Sequence, residues 1–157
     1  MTTSPATADW PEGPTLGERL LLRAIREWTD LKAAQTPPNR PVAQALAFRA
    51  SNRVAGLFVA WMQMVDATLR RPLESKCAVC GGVSQDEQRL LVSCGLAAAA
   101  PSVGEELLEP LLFDARPCLV MARALNAALA AEGYALPVRL REVTAVSSTP
   151  QEGPTLH

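Results

Sequence analysis

The chain has 157 residues, of which 48% are apolar, 20% charged and only 4% aromatic, with 15 basic and 16 acidic side chains. It is long enough to bury one core, and too apolar and too evenly charged to stay disordered. A net charge of −1 provides no general attraction to nucleic acid or to an anionic membrane, and collagen-like or coiled-coil compositions do not fit.

Residues 1–14 carry neither the positive start nor the apolar run of a signal peptide, and read as a tail. The longest apolar stretch, Val54 to Val65, falls short of the roughly 20 residues that a membrane span needs. The expectation is a cytoplasmic chain with no membrane segment. It is read as one helical domain over residues 15–143, followed by a second tail over 144–157.

Thr15 with Glu18 three residues on is a capping box, in which hydroxyl and carboxylate satisfy unpaired amides at a helix start. Behind it Leu21, Ala24, Ile25, Trp28 and Leu31 fall on one face, predicting a helix over 15–35 that stops before Pro37-Pro38. Asn39 as a cap opens an apolar row through Val42, Leu46, Ala50, Val54, Leu57, Trp61 and Val65 to Leu69. That row predicts one long central helix over 39–71, a rod of about 45 Å. Gly56 inside it points to a close helix crossing, because glycine costs about 1 kcal/mol there relative to alanine. Trp28, Phe48, Phe58 and Trp61 are expected to make the core bulky in this first half.

Ser84/Glu87 and Ser102/Glu105 repeat the capping box and predict helices over 84–99 and 102–113. A fifth helix, over 117–133, is expected to bury Val120, Met121, Ala124, Leu125, Ala128 and Leu129 and to end at Gly133. The predicted fold class is an all-α bundle of about five helices, with a CxxC-containing connection from Pro72 to Val83.

That connection holds the one local motif with chemistry of its own. Cys77-Ala-Val-Cys80-Gly81-Gly82 has the form of a metal knuckle, in which a two-residue gap lets both sulfurs converge on one ion. Tetrahedral zinc needs two further ligands. Cys118 is the better placed, since it follows Pro117 at a helix start, where the dipole favours thiolate. Cys94 lies ten residues into its helix, about 15 Å from the start. Cys77, Cys80 and Cys118 are therefore the candidate zinc ligands, and zinc is the only cofactor in view. The plainer alternative is a glycine-rich turn with two ordinary thiols, with Cys94 and Cys118 as small core residues.

A third reading is dithiol–disulfide cycling by Cys77 and Cys80, with Cys118 as a resolving thiol. Glu74, Cys77, Cys80 and Ser84 resemble the active-site motif of the alkylhydroperoxidase D-like family, which relays protons to a CxxC pair through an acid and a histidine in a helical fold. Ser84 stands where that family has the histidine. The resemblance implies a thiol-dependent redox enzyme.

No Walker, G-x-S-x-G or dinucleotide-binding motif is present, and the one histidine, His157, ends the second tail. Asp86-Glu87 and Glu105-Glu106 sit in first turns, where acids offset the helix dipole. Arg49/Arg53, Arg70-Arg71 and Arg139/Arg141 read as solvated basic patches, and nucleic acid is not an expected partner. Leu57, Phe58, Trp61, Met62 and Val65 wrap much of the long helix, which is either central in the bundle or shared with a second copy in a homodimer. The function expected is non-enzymatic: an α-helical interaction, regulatory or accessory protein with a protein partner and a zinc or thiol site at the knuckle. The redox enzyme is the alternative.

Overall fold

A computed structural model describes residues 13–76 and 81–140. The Cys77–Cys80 motif, most of the first tail and all of the second lie outside the described residues. The described residues form six helices: α1 (Leu16–Ala33), α2 (Asn39–Arg49), α3 (Asn52–Thr68), α4 (Gln85–Leu96), α5 (Pro101–Leu108) and α6 (Arg116–Ala131). The all-α class holds. Among the described residues there is no strand, only an isolated antiparallel bridge between Leu69 and Leu112.

Two of the three capping boxes form. Thr15 Oγ1 accepts from the Glu18 amide at 3.2 Å while Glu18 Oε1 accepts from the Thr15 amide at 2.8 Å, and Ser84 with Glu87 does the same for α4. The third does not. α5 starts at Pro101, one residue ahead of Ser102, and Ala100 is its cap with no side-chain bond. Proline suits the first helical position because its missing N–H would have no partner there. Glu105 pairs instead with Arg116 on the surface.

The expected 39–71 rod is two helices. Ala50 leaves the helical region at φ −130°, and Ser51 is extended, with its Oγ accepting from the Val54 amide at 3.1 Å. A serine side chain offers the backbone a local alternative to the helix, and here it starts a new one. The apolar row runs through the break because α2 and α3 pack against each other as a hairpin. At the front of α2 the cap is Pro38, and Asn39 is the first helical residue.

Trp28, Phe58 and Trp61 form the centre of the first half, with edge-on ring pairs at centroid distances of 6.2 and 5.8 Å. Phe48, expected with them, is 91% exposed at the end of α2. Trp61, Met62 and Val65 are buried within the single chain, so the wrapped apolar face reflects a central position in the bundle. On α6, packed against both α3 and α4, the buried row is Cys118, Leu119, Ala122, Leu125, Ala128 and Leu129. Val120 points away from both neighbours and is exposed, contrary to expectation.

α6 ends as predicted. Gly133 sits at φ 88°, its amide bonds to Ala130 O, and the Tyr134 amide bonds to Leu129 O at 2.8 Å. The chain then crosses α1 and α4 where glycines let the backbone come close. A Cβ on Gly17 would strike the carbonyl oxygen of Tyr134, and one on Gly95 that of Pro137. Gly56 has open space around it, so the close crossing expected there is at Gly17 and Gly95 instead.

Candidate functional site

Glu87 is the third residue of α4, and its carboxylate is fully buried. Oε1 accepts from the Ser84 amide at 2.9 Å and from Arg26 Nη2 at 3.0 Å. Oε2 accepts from Arg26 Nε at 2.9 Å, Ser75 Oγ at 2.5 Å and the Lys76 amide at 2.9 Å. Arg26, projecting from α1, uses the same Nη2 to reach the carbonyl of Gly82 at 2.8 Å.

The preceding residue, Asp86, makes a second anchor. Its carboxylate accepts two bonds from Arg71, at 2.7 and 2.8 Å, and one from the Glu74 amide at 2.8 Å. Ser84 Oγ donates to the Glu74 carbonyl at 2.8 Å while capping α4. Residues 71–76 on one flank of the cysteine motif and 82–84 on the other are therefore bonded to one cluster. The chain leaves the Arg26–Glu87 pair at Lys76 and returns to it at Gly82.

Burial by itself would raise the Glu87 carboxyl. The bonds from Arg26, Ser75, Ser84 and Lys76 outweigh it and hold the group below the usual glutamate range, charged at neutral pH. Five donors fill the positions from which a carboxylate accepts. The cluster is built to hold backbone.

The capping box at α1 has the same design. Glu18 takes a two-point pair from Arg139 at 2.7 and 2.8 Å, from a residue beyond α6. Arg139, read from sequence as part of a solvated patch, is thus a half-buried tie between the two ends of the described chain, and its former companion Arg141 lies outside the described residues. The reading of Asp86-Glu87 as dipole-compensating acids is correct in placement and incomplete in role. The available signal was Arg26, four residues after the buried Leu22 and so at the edge of the apolar face of α1.

Cys118 is fully buried in the first turn of α6, with its sulfur 3.8 Å from Thr68 Oγ1. Burial pushes its thiol up, the reverse of the lowering expected from the helix dipole. Cys94 is buried against the Ala122 carbonyl at 3.7 Å, and its thiol is pushed up to about 12. Both behave as core thiols. Cys77 and Cys80 lie outside the described residues, and among the described residues no three His, Cys, Asp or Glu side chains gather as metal ligands.

Of the residues in the redox resemblance, Ser84 is engaged as a helix cap and Glu74 contributes main-chain bonds. Among the described residues no helix is long and apolar enough to cross a membrane. Comparison with known proteins finds no family model, no curated protein and no solved structure that matches the chain.

Proposed function

We propose that the chain acts by binding, as a non-enzymatic α-helical accessory or regulatory protein, in which the Cys77-x-x-Cys80 turn is held as a staple or as a structural zinc knuckle. The observation that carries this reading is the saturated Glu87 carboxylate, bonded to Ser75 and Lys76 on one flank and to Ser84 on the other, with Arg26 reaching Gly82. A buried charge with five donors is poorly suited to accept a substrate proton and well suited to fix where a short segment begins and ends. Fixed flanks reduce the entropy lost when two thiols converge on one ion. The reading takes the chain as cytoplasmic, where thiols are kept reduced.

Two measurements on the freshly purified chain test it. Elemental analysis returning about one zinc per chain or per dimer, lost in Cys77→Ser, supports the knuckle. No zinc, with alkylation midpoints for Cys77 and Cys80 at or above the free value near 8.5, supports the staple. A midpoint well below 7 together with catalytic thiol–disulfide exchange would overturn the reading in favour of a redox enzyme.

A further inference from the structure

An open groove of about 900 Å³ runs along α1, and its charges are arranged in an order that a lone helix does not favour. Arg19 and Arg23 come first and Glu27 and Asp30 follow. A helix dipole favours acids near the N-terminus and bases near the C-terminus, and an acid–base pair four residues apart is better with the acid first. Arg23 and Glu27 have the reverse order. Among the described residues none of these four side chains makes an ion pair. Arg26, in the same groove, is engaged with Glu87.

The order has a property that does favour it. Turned end for end, a base–base–acid–acid sequence is its own complement. We infer that this face of α1 pairs with α1 of a second copy of the chain, antiparallel, about a two-fold axis at the level of Ile25. Positions equally far from residue 25 then face each other, so Arg23 meets the partner's Glu27 and Glu27 meets the partner's Arg23. Arg19 lies opposite the partner's Leu31, one residue from the partner's Asp30 and within reach of a long guanidinium side chain. One axis thus generates four ion pairs.

Apolar contact accompanies them. Leu16, 63% exposed, and the half-buried Leu31 sit on the same face, at opposite ends of the groove. The antiparallel arrangement brings Leu16 toward the partner's last turn. The 18 residues of α1 make a contact line of about 27 Å. Arg49, which also lines the groove, remains as one excess positive charge on each copy. The association is accordingly a modest one that weakens as salt is added. It rests on α1 alone and is independent of the cysteine turn.

Charge exchange in the full-length chain tests this, with circular dichroism confirming that each variant keeps its helix content. By sedimentation at low salt, the unmodified chain should show a monomer–dimer equilibrium that shifts toward monomer at high salt. Arg19→Glu/Arg23→Glu and Glu27→Arg/Asp30→Arg should each be monomeric, because each presents four like charges to itself. Mixed in equal amounts, the two should form a heterodimer at least tenfold tighter than either self-association. The chain carrying all four exchanges should regain the homodimer. An unmodified chain that stays monomeric, a dimer that persists in both variants, or folded variants that do not associate when mixed would each overturn the proposal.

Discussion

Arg26 on α1 and Glu87 on α4, 61 positions apart in the chain, form a buried two-point ion pair with each side chain nearly or fully removed from solvent. A pair of this kind is weak evidence of net stabilisation, because removing both charges from water offsets most of their attraction. Its consequence is positional. It fixes where α4 begins and where both flanks of the cysteine motif lie.

Removing one partner should be costly. Glu87→Ala leaves Arg26 buried without a counter-charge, and leaves the Lys76 and Ser84 amides without acceptors. A loss of about 3–5 kcal/mol is expected in urea unfolding. Replacing both residues by leucine should not restore stability, since those amides stay unpaired. A double variant as stable as the parent would show that the cost of Glu87→Ala comes from the uncompensated Arg26 charge and not from the lost backbone bonds.

The same group sets a pH dependence. The folded state holds the Glu87 carboxyl below the ordinary value of about 4.3. Its contribution is therefore complete above that value and is lost as pH falls through the lower, folded one. Unfolding midpoints measured from pH 6 downward should decline in this window. Glu87→Gln should begin less stable and decline less steeply than the parent. Parallel profiles would remove Glu87 from the explanation.

Two glycines should respond oppositely to alanine. Gly95→Ala drives a methyl group into the Pro137 carbonyl and should lose about 1–3 kcal/mol. Gly56→Ala meets open space in mid-helix and should gain about 0.5–1 kcal/mol. Thermal unfolding of the two variants checks both signs.

The caps separate in the same way. Ser51→Ala removes the bond that starts α3 and should cost about 1 kcal/mol. Ser102→Ala, at an exposed serine that caps nothing, should change stability by less than about 0.5 kcal/mol.

Much of the helical frame is legible from local chemistry. The boxes at Thr15 and Ser84 and the glycine at 133 act within a few residues of themselves, so sequence spacing suffices to find them. Ser102 also has the right spacing, but Pro101 competes for the same helix start and wins. The break at Ser51 is hidden because a hairpin of two packed helices can carry the same apolar row as one rod. Arg26, Glu87 and Arg139 were harder to place. Their roles depend on partners 61 and 121 positions away, which no local pattern encodes. The burial that raises the Cys118 thiol, against the opposing effect of the Thr68 hydroxyl, is likewise set by how α6 packs on its neighbours.

The most direct test of the clamp is amide hydrogen exchange at Lys76 and Ser84, whose N–H groups both donate to Glu87. Both should be protected to a similar degree. Both should lose that protection in Glu87→Ala at a temperature where the middle of α1 stays protected. A Lys76 amide that exchanges at the rate of an open chain, while Ser84 and α4 remain protected, would contradict a clamp that holds both flanks of the cysteine turn.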